Sequence, residues 1–404
     1  MYATPLLEAA GLTPDVVNII LVNDDTLNAF VAGGQNLFIN TGLIMRTETP
    51  NQLIGVIAHE IGHIAGGHLA RSGEATAAAN TQALLSMLLG LGAAIAGGGD
   101  VGSAVMMGGQ QTALRSLLAY TRTQERSADQ AALKLLDETG QSSKGMLDFL
   151  DILSGQELLY ASNQDPYLRT HPLSSERIDS IAQHVKVSPY TDAKPNAVYV
   201  ERHARMVAKL MGFLRPPNQT FLRYPDEDQS LPARYARAIA TYRIPDIDAA
   251  LKDIDALIAE RPQDPFFQEL KGQMLFENGR LDEALEPYRM ANELKPNDPL
   301  LLTSLAQVLV ESGKESQLES AVGQLKDATR LDPRNALSWR LLAISYGRLD
   351  QLDESALASA EEALLTGRMG DAHLQAERAS RKFPEGSPGW LRAQDIIRTS
   401  ERKS

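Results

Sequence analysis

Residues 49–65 read TPNQLIGVIAHEIGHIA, and the five at its centre, His59-Glu60-Ile61-Gly62-His63, decide how the rest of the chain is understood. Thr49 suits an N-cap, Pro50 a first helical position, and Gln52 the reciprocal half of a capping box. Leu53, Val56, Ile57, Ile61 and Ile64 then make a largely apolar helix. On it the two imidazoles stand one turn apart, so both reach the same cation while Glu60 lies beside them as a proton acceptor. A surface helix with two solvated histidines is the bland alternative, and the apolar flanks argue against it. Imidazoles buried in such a helix need polar partners, and a metal supplies one. The expectation is a zinc site of the kind that activates water for hydrolysis.

At 404 residues the chain has room for two domains or more, each with its own core. Its net charge of −12 disfavours a nucleic-acid partner, which would demand a basic surface. There are no cysteines, so a bound metal must take nitrogen and oxygen donors. Met1-Tyr2-Ala3-Thr4-Pro5 has no charged region leading into an apolar core, so no signal peptide is read there. The stretch 83–97, ALLSMLLGLGAAIAG, falls short of the roughly 20 residues that cross a bilayer. Two readings stay open for it. One is a core helical hairpin turning at Gly97-Gly98-Gly99. The other is a mobile lid or a flap over 83–109 that touches a membrane or partner, helped by the adaptable side chains of Met87, Met106 and Met107.

Before the metal helix, the runs 17–22, 28–31 and 36–40 predict a small, mostly antiparallel sheet. From Thr49 onward the pattern is helical. The polar stretch 188–196, SPYTDAKPN, suits a linker, which divides the chain into expected domains 1–190 and 191–404. Beyond it Pro262, Pro296 and Pro333 recur at spacings of 34 and 37 residues, each between two helical runs. The shorter spacing is the tetratricopeptide period. Gly272, Ala284, Tyr288 and Ala291 fall at the small and aromatic positions of one unit, Ala306, Ala321 and Ala328 at those of the next, and Trp339, Ala343 and Tyr346 at those of a third, which has Ser355 where alanine is usual. The fold expected is thus α+β and helix-rich, a peptidase domain followed by an all-α repeat solenoid.

A catalytic zinc takes three protein ligands and keeps one position open. If the helix runs on, His68 lies nine residues past His59 and points away from the metal face, which reads as a structural histidine. Glu125 is the better candidate: with Asp129 it stands one turn apart on a second helix, so Glu125 can bind metal while Asp129 orients a ligand imidazole.

The combination of Asn28-Ala29-Phe30 and Gly33-Gly34, Asn40-Thr41-Gly42-Leu43, His59 to His63, and Glu125-Arg126-Ser127-Ala128-Asp129 closely resembles the HtpX/CAAX-prenyl-protease family of gluzincins. The repeat tail narrows the likeness to its subgroup without spanning helices. The resemblance implies a zinc-dependent endopeptidase with His59, His63 and Glu125 as metal ligands and Glu60 as catalytic base. It also implies a periplasmic home with the N-terminus trimmed, and a part in degrading or assembling outer-membrane proteins. His171-Pro172, with Arg177 six residues on, resembles a further family motif. Three readings of His171 stay open: a donor to the tetrahedral oxyanion, a ligand that fills the open zinc position, or a packing residue. The partners expected are unfolded or misassembled proteins, outer-membrane β-barrels and their assembly machinery among them. Substrate is expected to extend along the strand 35–40, although a buried core strand fits those residues as well. A chaperone or scaffold with a vestigial or plugged metal site, acting through its repeats, is the rival reading.

Overall fold

The computed structural model describes residues 1–68, 122–157, 171–244 and 246–403; the segment 83–109 lies outside them. Helix α1 (Ala3–Ala9) leads into strands β1 (Asn18–Val22), β2 (Ala29–Ala32) and β3 (Asn36–Asn40). Gly33 and Gly34 take φ of 59° and 96°, the left-handed pair that a two-stranded hairpin turn needs, and they join β2 to β3. The strand order is β1-β3-β2, with β3 antiparallel to β2 and parallel to β1. The sheet is therefore mixed, where a mostly antiparallel one was expected. The stretch 23–28 carries the chain past an empty lane, and the hairpin returns β3 into it. A second correction follows. With a partner on each side, β3 has no open edge to offer a substrate, and Leu37 and Ile39 are core residues.

The sheet feeds α2 (Thr41–Arg46) and then the metal helix α3 (Pro50–Ala65). Its capping box forms as the sequence predicts, with Gln52 Oε1 accepting the Thr49 N–H at 3.3 Å and the Glu48 N–H at 2.6 Å. Helix α3 packs on β2 and on α5 (Lys144–Glu157), and a helix over 122–138, α4, lies against it as well. Two glycines make these approaches close. A Cβ on Gly55 would stand 2.8 Å from Met146 Cα of α5, and one on Gly62 would stand 2.7 Å from the Ala128 carbonyl of α4. Leu6, Leu37, Ile54, Ile61, Leu133, Leu136 and Phe149 fill the core of this unit. It continues through α6 (Ser175–Val187) into α7 (Ala197–Leu214), where His203 Nε2 lies 2.8 Å from Thr47 Oγ1 just ahead of the metal helix.

The chain divides into two compact units, Met1–Met211 and Gly212–Ser404. In the second, α8 (Pro217–Arg223) precedes helix pairs α9 (Leu231–Tyr242) with α10 (Ile247–Glu260), α11 (Pro265–Glu277) with α12 (Leu281–Leu294), and α13 (Pro299–Ser312) with α14 (Glu315–Leu331). Two further pairs close it, α15 (Ala336–Arg348) with α16 (Leu352–Leu365) and α17 (Met369–Ser380) with α18 (Pro388–Lys403). Pro262, Pro296 and Pro333 each fall in the break between one pair and the next, as their spacing predicts. Gly272 touches the Tyr288 ring across α11 and α12, and Asp264, Asp298 and Asn335 cap the leading helices of three pairs. At Ser355 the hydroxyl bonds the Ala343 carbonyl at 2.9 Å, so the polar substitution keeps the helices in register. The last pairs close on an alanine-rich core of Ala356, Ala360, Ala372, Ala376 and Ala393. Among the described residues no helix is long and apolar enough to cross a membrane.

Burial takes His203 down to a pKa of about 4 from its ordinary 6.5, so the unfolded chain binds this proton first as pH falls. The stability His203 contributes as a neutral ring is therefore complete above pH 6.5 and is lost as pH drops towards 4. Urea unfolding across that window should show the first unit losing up to about 3 kcal/mol more than a His203→Gln variant does. Parallel pH profiles for the two proteins would count against this placement of the charge.

Candidate metal and catalytic site

Helix α3 brings His59 and His63 to one face, α4 supplies Glu125 and Asp129, and the turn before α6 supplies His171. Among the described residues, His59, His63, Glu125 and His171 form a group whose ligand atoms all lie within 4.8 Å of one another. His59 Nε2 is 3.1 Å from His63 Nε2, 3.3 Å from Glu125 Oε2 and 3.3 Å from His171 Nδ1. Glu125 Oε1 is 3.2 Å from both His63 Nε2 and His171 Nδ1. Separations of 3.1–3.3 Å suit donor atoms about 2.0–2.1 Å from a common centre, the length of zinc bonds to nitrogen and oxygen, with Glu125 meeting His59 through Oε2 and His63 and His171 through Oε1. Three imidazoles and one carboxylate with lone pairs converging at this spacing fit a divalent cation, which would replace mutual repulsion by shared coordination.

The surrounding groups fix the ligands. Asp129 Oδ1 faces His59 Nδ1 at 2.9 Å, which holds the proton on that nitrogen and leaves Nε2 free to ligate. Burial opposes charge on His59, yet Asp129 and Glu125 together lift its pKa to about 10. On His63, burial prevails and takes the ring down to about 4. Burial would raise both carboxyls, but hydrogen bonds from the histidines keep Glu125 ionised, and those from Arg177 and His59 bring Asp129 to about 2. Arg177 is buried and grips Asp129 twice, Nε to Oδ2 at 2.7 Å and Nη2 to Oδ1 at 2.9 Å. Its Nη1 reaches Glu125 Oε2 at 2.9 Å and the Pro172 carbonyl at 3.0 Å. One guanidinium thus ties a candidate ligand, the partner of another and the turn that carries His171.

Glu60 is wholly buried, and neither of its oxygens accepts a hydrogen bond among the described residues. His171 Nε2 stands 3.4 Å from its Oε1. Burial, the largest influence, raises the Glu60 pKa, as suits a carboxylate that must take up a proton.

His68 stands elsewhere than a continuing helix predicts. Helix α3 ends at Ala65, Gly67 turns with φ 61°, and the chain folds back so that His68 Nδ1 lies 3.0 Å from His63 Nδ1. His68 is thus to His63 what Asp129 is to His59. The signal was present in Gly66-Gly67, a helix stop directly after the motif.

Residues 3–185 match peptidase family M48, and residues 272–313 match a TPR repeat. The beta-barrel assembly-enhancing protease of Escherichia coli strain K12 is 27% identical over 394 residues, 95% of this chain and 78% of that protein. The protein of the same name from Yersinia pestis is 26% identical over 374 residues, 91% of this chain and 75% of its own length. Metalloprotease LoiP of Escherichia coli is 29% identical over 166 residues, 40% of this chain and 58% of that protein.

Gly62 sets the distance between the histidine helix and the helix of Glu125, and Gly62→Ala tests it. The added methyl has backbone beneath it, so α4 must move. We expect metal affinity to fall at least about tenfold and stability by roughly 1–3 kcal/mol, read by metal titration and thermal melting. Unaltered affinity would mean that the helix spacing does not govern the site. The chain thus joins a region that matches peptidase family M48, residues 3–185, to helical repeats, of which residues 272–313 match a TPR repeat.

Proposed function

We propose that this protein is a zinc-dependent endopeptidase that cuts unfolded or misassembled proteins, with His59, His63 and Glu125 as zinc ligands and Glu60 as the base. The convergence of three imidazoles and Glu125 beside the buried, unbonded carboxylate of Glu60 carries this reading. When bound, zinc supplies Lewis acidity that polarises the scissile carbonyl and lowers the pKa of water to about 7. Glu60 takes the proton of the attacking water and passes it to the leaving amide nitrogen. Its dry surroundings keep that proton from being shared with bulk solvent. Asp129 and Arg177 hold the ligands in place. Substrate extends along β2, the edge strand that packs on the metal helix and pairs among the described residues only with β3. Backbone pairing there accepts many sequences, which suits unfolded clients.

His171 holds the enzyme in check as a fourth ligand through Nδ1, which lies as near to His59 and Glu125 as the other donors do. Release of its turn opens the position a substrate carbonyl needs. By likeness to the beta-barrel assembly-enhancing proteases, the clients are outer-membrane β-barrel proteins and their assembly machinery, the compartment is the periplasm, and the helical repeats select the client. The rival reading, a chaperone acting through its repeats over a silent metal site, gains from the same closeness of His171.

Two assays separate them. The chain should retain one zinc by elemental analysis, Glu60→Gln should keep that zinc and lose cleavage of an unfolded protein, and Glu125→Ala should lose most of the zinc. Cleavage retained by Glu60→Gln would remove Glu60 as the base, and an inactive parent together with an inactive His171→Ala would favour the chaperone.

His171→Ala also decides the role of His171 itself. Removal of a fourth ligand should raise turnover several-fold or provoke self-cleavage. A fall of roughly 100-fold would instead make His171 an oxyanion donor.

A further inference from the structure

Strand β1 is finished on one side only. It pairs with β3, and among the described residues nothing pairs with its other edge. The Asn18 N–H bonds the Gln35 carbonyl beside β3, so by strand alternation the N–H and C=O groups of Ile19 and Leu21 face outward. The side chains are unfinished too. Ile19 and Leu21 are in register with Leu37 and Ile39 of β3 and share their face of the sheet. Leu37 and Ile39 are 0% and 3% exposed, whereas Ile19 and Leu21 are 45% and 56% exposed. Among the described residues, the layer that covers β3 stops short of β1. An apolar edge left open in this way is a template for another strand.

Charge says which strand. From residue 1 to 45 the chain carries Glu8, Asp15, Asp24 and Asp25 and no Lys, Arg or His. Asp15 and the pair Asp24 and Asp25 are exposed and bracket β1 at its two ends. A second copy of this chain is disfavoured there. An antiparallel β1–β1 pair would bring the acidic ends of the two copies together, Asp24 and Asp25 of one near Asp15 of the other, and like charges so placed repel.

We infer that the free edge of β1 is a holding site for an extended segment of an unfolded polypeptide, apolar at alternate positions and bearing Lys or Arg at its ends. The site lies on the opposite edge of the sheet from β2. It binds without cutting and keeps a client on the peptidase unit while another segment lies along β2. In that use it rests on the proposed peptidase reading; as a binding site it stands without it.

The probe is a labelled nine-residue peptide of alternating Val and Thr with two Lys at each end, and its counterpart with Glu in place of Lys. Binding is followed by fluorescence anisotropy at low salt on the full chain carrying Glu60→Gln, so that cleavage plays no part. The Lys-ended peptide should bind at least about tenfold more tightly than the Glu-ended one, an advantage that salt erodes. N-methylation of alternate amides should abolish binding in one parity and spare it in the other, a readout that leaves the protein untouched. Ile19→Lys with Leu21→Lys should weaken binding at least about tenfold while zinc content and cleavage of a short neutral peptide by the Glu60 form persist. Equal binding of the two peptides, equal effects of both methylation parities, or full binding by the double variant would overturn the proposal. So would sedimentation showing that the β1 substitutions change only self-association. Binding by a chain that proves to have no proteolytic activity would leave it standing and count against the peptidase reading alone.

Discussion

Everything in the first unit answers to one electrostatic problem, the packing of His59, His63, His68 and His171 with Glu60, Glu125 and Asp129 into a space from which water is largely excluded. Buried charge is tolerated when it is paired and hydrogen-bonded, and here, Glu60 apart, the members have assigned neighbours. Asp129 faces His59, His68 faces His63, and Arg177 spans Asp129 and Glu125. A cation at the centre would complete that balance, since three imidazoles and a carboxylate converge there. The capping box, the glycines at 55 and 62 and the stop at Gly66-Gly67 are the means by which an ordinary helix is brought to those partners.

The same network reaches the turn that carries His171. Because Arg177 holds both the Glu125 carboxylate and the Pro172 carbonyl, the turn that presents His171 is tied to the ligand set. A change that frees this turn acts on the ligands through one side chain, with no need for a distant relay. The repeats obey a different logic. Their helices bury small residues against aromatic ones pair by pair, as Gly272 does with Tyr288, so each pair is stabilised chiefly by the next.

Much of this was legible in the sequence, and the exceptions share a cause. His59, Glu60 and His63 could be read because a helix fixes the direction of residues four apart, and Glu125 with Asp129 because the same rule holds on the second helix. The proline punctuation of the repeats was legible for a similar reason. Topology was not. Nothing local distinguishes a strand that enters the sheet centre from one at its edge, so 35–40 was readable both as a substrate edge and as a core strand, and the sheet as mostly antiparallel. His68 was misplaced because periodicity was carried three residues beyond the point where Gly66 and Gly67 end it. Arg177 could be tied to the family motif, but its contact with the Pro172 carbonyl depends on where a loop returns in space.

The central claim is that His59, His63, Glu125 and His171 converge on a single zinc ion. X-ray absorption at the zinc edge on the purified chain, beside the same spectrum for His171→Ala, tests it most directly. The account predicts one zinc per chain with a shell of three nitrogens and one carboxylate oxygen at about 2.0–2.1 Å, one nitrogen being replaced by a water oxygen in the variant. A spectrum that shows two nitrogens in both proteins, or a chain that retains no zinc after purification without chelator, would contradict it.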